Sequence, residues 1–148
     1  MIDRDLIEIL LVEDNPADAE LTLHALRRNH LSNRIYHVED GAAALDFLFC
    51  ANGYAHRRIQ DAPKVVLLDL KMPLIDGLEV LRRVKSDPRT RDIPIVVLTS
   101  SNEERDVVES HRLGVNSYIV KPVDFERFSE AVRQIGLYWA LLNRPPQS

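Results

Sequence analysis

The groups able to do chemistry in this chain stand where its apolar runs stop. Ile9–Val12 runs into Glu13 and Asp14, Val65–Leu68 into Asp69, Ile95–Leu98 into Thr99, and Tyr118–Val120 into Lys121 and Pro122. If the runs are parallel strands, these groups meet at the carboxyl edge of one sheet, where open α/β folds bind their ligands. Glu13, Asp14 and Asp69 would then crowd together, and like charges that close need a cation. Mg²⁺ takes hard oxygen ligands, keeps several waters, and is usually held by one or two carboxylates plus phosphate. With a hydroxyl and an ammonium beside them, the carboxylates make the chemistry of a Mg²⁺-assisted phosphoryl acceptor. Taken singly, each residue has a plainer reading: an acid capping a turn, a β-branched residue closing a strand, a solvated lysine before a proline. The whole constellation is hard to explain that way.

The elements that must position these groups can be read from pattern. The runs are short, rich in Val, Ile and Leu, and continuous rather than alternating, which suits strands buried on both faces of a parallel sheet. Ile35–Val38 adds a weaker strand. Pro16 suits the first turn of a helix reaching about Asn29. Asp40 can cap a helix with Ala44, Leu45 and Leu48 on its apolar face. Gly77, Val80, Leu81 and Val84 follow helical spacing. Ser101 and Glu104 have capping-box spacing, and Gly114 fits a C-terminal cap. Asp124 opens a last helix running from about Phe125 to Leu142. Strands and helices therefore alternate along one domain, with right-handed crossovers expected. The stretch from Cys50 to Pro63 is a longer connection, expected on the surface. The Lys121–Pro122 bond is a candidate for the cis form, which would turn the chain sharply after the strand. Tyr118 shares a face with Val120 and is amphipathic enough to move between core and solvent.

Bulk properties narrow the classes. The chain has 148 residues, 45% of them hydrophobic and 28% charged, as expected of a globular domain with a real core. A formal net charge of −4 speaks against a nucleic-acid surface, which is usually basic. A single cysteine, Cys50, excludes an internal disulfide and suits a reducing, cytoplasmic setting. No apolar stretch approaches a membrane span, and Met1–Asp5 has no signal-peptide character. His24, His30, His37, His56 and His111 show no ligand spacing and read as surface or packing residues.

The last helix suggests a contact. At about 100° per residue, Phe125, Phe128, Val132, Ile135, Trp139 and Leu142 form one stripe facing the core. Leu137 and Leu141 fall on the far side, an apolar pair expected to be exposed and to join two copies of the chain in a homodimer.

Taken together, Val12-Glu13-Asp14, Leu67-Leu68-Asp69-Leu70-Lys71-Met72-Pro73, Asp76-Gly77, Leu98-Thr99-Ser100-Ser101, Gly114 and Tyr118-Ile119-Val120-Lys121-Pro122 resemble the receiver domain of two-component response regulators. The likeness spans about Ile7 to Ile135, and the remainder, 136–148, reads as a helix extension and tail. It implies a flavodoxin-like, doubly wound sheet of five parallel strands in the order 2-1-3-4-5. It implies Asp69 as phosphoryl acceptor, and Mg²⁺ held by Glu13, Asp14, Asp69 and the main-chain carbonyl of Lys71. Thr99 and Lys121 would contact the phosphoryl group, with Tyr118 as the switch aromatic. The partner would be a sensor histidine kinase, and the chain would catalyse only its own phosphorylation and dephosphorylation. No room is left for an output domain, so output would be by protein contacts. A narrower likeness is to stand-alone regulators paired with phytochrome-like kinases. The rival reading is a haloacid-dehalogenase-like phosphatase, which needs a second Asp where this chain has Lys71. A flavodoxin-like cofactor module would want a hydroxyl- and glycine-rich loop in place of Glu13-Asp14-Asn15-Pro16.

Overall fold

In the computed structural model, which describes residues 7–28, 34–72, 76–110, 112–137 and 141, each apolar run is a strand. The inner three, β1 (Ile9–Val12), β3 (Val65–Asp69) and β4 (Ile95–Thr99), are buried at every position. β2 (Ile35–Val38) and β5 (Ser117–Val120) are only partly buried, because each lies at an edge. All pairings are parallel and the order is β2-β1-β3-β4-β5. The chain leaves β1 toward one edge and later returns to pair β3 on its other side. The gap between the carboxyl ends of β1 and β3 is therefore the switch point of the fold, the usual ligand position.

The connections form α1 (Pro16–Arg27), α2 (Gly41–Leu48), α3 (Gly77–Ser86), α4 (Asn102–Ser110) and α5 (Phe125–Gln134). Four begin at an Asn or Asp capping side chain, and α4 at Ser101. Asn15, Asp40, Asp76 and Asp124 accept main-chain N–H bonds of 3.0, 2.7, 2.9 and 2.8 Å. Each cap is worth about 1 kcal/mol.

Alternate residues of the buried strands serve opposite faces. Leu10, Val12, Val66, Leu68 and Val97 pack with Ala44, Phe47, Val80 and Leu81 of α2 and α3. Ile9, Leu11, Leu67, Val96 and Leu98 pack with Ala19 and Leu26 of α1 and Phe128 and Val132 of α5. The stretch after α2 carries two 3-10 turns, Asn52–Tyr54 and Ile59–Asp61. It is anchored on edge strand β2 by rings: Tyr36 stacks on Phe47 at 5.1 Å, and Tyr54 meets Phe47 edge-on at 5.3 Å. The Tyr36 and Tyr54 hydroxyls lie 3.0 Å apart.

The C-terminal helix departs from expectation. It stops at Gln134, because Gly136 takes a left-handed conformation, φ 79°. The Gly136 N–H donates to the Arg133 carbonyl (3.1 Å) and the Leu137 N–H to the Val132 carbonyl (2.8 Å). This is a Schellman ending, which reverses the chain and resets the phase of everything after it. Leu141 is 1% exposed within the core under α1 and α5, and Leu137 packs against that core. The far-side pair expected from an unbroken helix does not form, and the motive for a dimer contact through Leu137 and Leu141 goes with it. Phe128 and Val132 do face the core, whereas Trp139 and Leu142 lie outside the described residues, as do Asn29 and Pro73. Gly114 is left-handed at φ 80°, but in the turn before β5, past the end of α4.

Candidate functional site

The strand register delivers the acidic groups to one place. Val12 pairs with Leu68, so Glu13 and Asp14 leave β1 beside Asp69, the last residue of β3. One carboxylate oxygen from each of Glu13, Asp14 and Asp69 lies within 4.8 Å of the others. Glu13 is 1% exposed and Asp69 5%, while Asp14 is half-buried. Lys121, just after β5, reaches across: its Nζ is 2.9 Å from Glu13 Oε1, 3.0 Å from Asp18 Oδ2 and 3.5 Å from Asp69 Oδ2. The Lys121–Pro122 peptide is cis. Thr99 ends β4 next to the acceptor strand, 1% exposed, and its hydroxyl has no hydrogen-bond partner. Leaving a buried polar group unpaired costs about 1–3 kcal/mol, so such a group marks a place for a ligand.

The charges are strained. Burial, then a hydrogen bond and charge from Asp69, push the Glu13 carboxyl up to about 8 against the pull of Lys121. Burial works against the Lys121 ammonium, but its bonds to Glu13 and Asp18 and the charge of Asp69 outweigh it and hold its pKa above the ordinary value. Once Glu13 ionises, three carboxylates face this ammonium and leave excess negative charge on hard oxygens. That donor set fits a divalent cation.

Several residues of the site were not singled out by sequence reasoning. Asp18, in the first turn of α1, ion-pairs Lys121. The His37 imidazole, on β2, lies 2.8 Å from the Glu13 main-chain carbonyl through Nε2, which donates as its N–H tautomer. Glu104 of α4 accepts from Ser100 Oγ (2.8 Å) and sits 3.5 Å from the Lys71 ammonium, bridging the pocket mouth. Ser101 caps the Glu104 N–H at 3.2 Å, the half of the capping box that the spacing signalled. Gly77 shares the helical spacing of Val80, Leu81 and Val84, yet its role is a close approach. A Cβ there would lie 2.5 Å from the Asp69 carbonyl oxygen and 2.6 Å from Leu70 Cα, both backbone atoms. Any side chain at this position must displace the acceptor strand itself.

Lys71 lines the same pocket, its N–H 3.4 Å from Asp69 Oδ1. Tyr118 is half-buried on β5 with the Arg105 guanidinium 4.8 Å above its ring.

Five parallel strands in this order, with an acidic pocket at the switch point facing a lysine and an unpaired hydroxyl, define the receiver class of flavodoxin-like folds. Residues 9–133 match the response regulator receiver domain, and the chain belongs to that family. It is 44% identical over 138 residues to the probable methanogenesis regulatory protein FilR2 of Methanothrix harundinacea, covering 93% of this chain and 86% of that protein. The solved structure of the bacteriophytochrome response regulator RtBRR is similar at a TM-score of 0.86 and 53% identity, over 95% of this chain and 84% of that one. Response regulator Rcp1 of Synechocystis is 37% identical, with 88% and 87% of the two chains covered. The Mn²⁺-bound form of Rcp1 superposes at a TM-score of 0.72, at 34% identity over 96% of this chain and 99% of that one. Receiver domains are signalling modules phosphorylated on an aspartate, and they bind a divalent metal. The dehalogenase-like phosphatase reading finds no support: position 71 is a lysine, and the relatives are receivers. Among the described residues no helix is long and apolar enough to cross a membrane.

Proposed function

We propose that Asp69 accepts a phosphoryl group from the phosphohistidine of a sensor kinase, with Mg²⁺ held by Glu13, Asp14, Asp69 and the main-chain carbonyl of Lys71. The observation that carries this reading is the pairing of a buried acidic pocket with a buried, unpartnered Thr99 hydroxyl and a shared Lys121 ammonium. The Asp69 carboxylate attacks phosphorus in line, forming the O–P bond as the P–N bond breaks and the kinase histidine's imidazole leaves. The transition state is loose, so the protein contributes positioning and charge neutralisation. Mg²⁺, when bound, neutralises charge on the phosphoryl oxygens. Lys121 offsets a further negative charge, and the Thr99 hydroxyl donates a hydrogen bond. The single charge of the Asp69 carboxylate gives way to a phosphoryl group carrying about −1.5 to −2. Thr99 is drawn toward it, and Tyr118 turns inward from beneath Arg105, reshaping the surface of α4, β5 and α5. The protein catalyses only its own phosphorylation and dephosphorylation, and acts in the cytoplasm.

RtBRR and Rcp1 support a phytochrome-like kinase as the partner class. The kinase meets the groove beside the site, where Leu21 and His24 of α1 and Arg28, just past its end, line the same hollow as Pro122 and Phe125. Leu21 is 57% exposed there. Phosphotransfer from a phytochrome-like kinase tests this. Leu21→Glu is expected to slow transfer about tenfold, the effect of losing an apolar anchor, and to leave labelling by acetyl phosphate unchanged. A chain that labels readily with acetyl phosphate but never from such kinases would rule out the partner class.

The raised Glu13 pKa gives a pH signature. The carboxyl titrates at 4.5 in the reference state and near 8 in the fold, so between those values the native state binds the extra proton. Stability therefore falls as pH rises through this window in metal-free protein, and its slope vanishes above it. Mg²⁺ needs the deprotonated ligand, so its stabilising effect grows toward pH 8 and flattens the slope. Thermal melts from pH 5 to 9, in EDTA and in Mg²⁺, are the check. A metal-free slope of the opposite sign would contradict a Glu13 whose burial and Asp69 neighbour outweigh the pull of Lys121.

We also propose a homodimer, although Leu137 and Leu141, the contact expected for it, pack against the core of their own chain. Light scattering that finds only monomer at tens of micromolar, with and without phosphorylation, would remove that proposal.

A further inference from the structure

One partner of Lys121 has no part in the chemistry above. Asp18 Oδ2 lies 3.0 Å from Lys121 Nζ, nearer than the acceptor's Oδ2 at 3.5 Å. Its place is set by the helix, because the Asp18 N–H is held 3.0 Å from the capping Asn15 Oδ1. The lysine is thus shared among carboxylates from the end of β1, the start of α1 and the end of β3. They are not equivalent. The Glu13 side chain is fully buried and that of Asp69 is 7% exposed, whereas that of Asp18 is 38% exposed. An ion pair open to water is weak and easily exchanged, worth about 0–1 kcal/mol.

We propose that Asp18 is a positioning residue for the phosphoryl reaction: it holds Lys121 at the rim of the pocket and competes with the phosphoryl group for its ammonium. The inference rests on Asp69 being the acceptor. A phosphoryl group on Asp69 brings roughly one to two negative charges, against the single charge of Asp18. The ammonium moves inward, and the exposed Asp18 contact is the one that yields. Asp18 therefore sets how much of the lysine's attraction the incoming group receives. A plainer role exists, since an acid in a first helical turn favours the helix dipole. That role does not depend on what stands at position 121.

Titration with beryllofluoride, an anionic phosphoryl mimic, at saturating Mg²⁺ separates the two. Asp18→Asn is expected to bind about threefold more tightly, the size of a half-exposed pair, and Asp18→Glu to bind as wild type. In the Lys121→Met background, Asp18→Asn is expected to give no gain. A second readout needs neither metal nor mimic. Urea melts in EDTA of wild type, Asp18→Asn, Lys121→Met and the double variant should show non-additive effects, since the two side chains touch. Unchanged affinity in Asp18→Asn, a gain that persists in Lys121→Met, or strictly additive melts would overturn the inference. A wild-type protein that binds no beryllofluoride would instead overturn the acceptor assignment, and the inference would fall with it.

Discussion

Asp69→Asn is expected to carry no phosphoryl adduct with any donor, and to remain folded. Intact mass spectrometry of wild type with acetyl phosphate and Mg²⁺ should show a single adduct, and the variant none. The loss is complete because the amide nitrogen and oxygen cannot replace a carboxylate nucleophile, and the other carboxylates are committed otherwise. Glu13 is buried against Lys121, and Asp14 is only half-buried at the pocket edge. The structure also separates this result from simple unfolding. Asp69 is one cause of the raised Glu13 pKa, through both a hydrogen bond and its charge. Removing that charge lets Glu13 ionise against Lys121, so metal-free Asp69→Asn should be at least as stable as wild type near pH 8 and show a shallower loss of stability with pH. A dead but stable variant identifies the nucleophile. Undiminished labelling would transfer the role to another residue.

Lys121→Ala is expected to have the other large effect, on stability and on signalling alike. The ammonium is the cation facing Glu13 and Asp69, both nearly inaccessible to water. Breaking a fully buried pair costs roughly 3–5 kcal/mol because it strands an uncompensated charge. Lys121 is 21% exposed and its partners can take up protons, so the metal-free loss should fall below that range. It should deepen as pH rises, since protonation relieves the stranded carboxylates at lower pH, Glu13 holding its proton up to about 8 even beside Lys121. Mg²⁺ should restore much of the stability. Phosphorylation should persist in part, because Asp69 and the metal-binding carboxylates remain. The conformational response should not, because no ammonium is drawn to the new charge. Amide NMR of α4 and β5 with and without phosphorylation measures that response, and a full wild-type pattern of shifts in the variant would exclude Lys121 from the switch.

The same physics explains how much could be read without coordinates. Ile9–Val12, Val65–Leu68 and Ile95–Leu98 announced a parallel sheet because strands covered on both faces must be apolar throughout. Asp69, Thr99, Glu13, Asp14 and Lys121 were legible because each closes such a run, and the carboxyl edge collects whatever follows a parallel strand. Asp40 and Asp124 were legible as caps because an orphan N–H needs a local acceptor within a few residues. Gly136 offered the same kind of local signal, a glycine just past the periodic residues of α5, and reading the helix through it placed Leu137 and Leu141 outside the core that holds them.

What the sequence alone determined, then, were the strands, the caps and the groups at the sheet edge, each set by neighbours along the chain or by burial on two faces. The tertiary structure decided the rest, because it depends on distances between residues far apart in sequence. Lys121 meets Asp18 across 103 positions, and no spacing rule relates them. His37 reaches the Glu13 carbonyl only because β2 lies beside β1. Gly77 must lack a side chain because the backbone of Asp69 and Leu70 passes where its Cβ would be. The proton held by Glu13 is decided the same way: its pKa follows from burial and from Asp69 and Lys121 closing around it, and a carboxylate's surroundings exist only once the chain has folded.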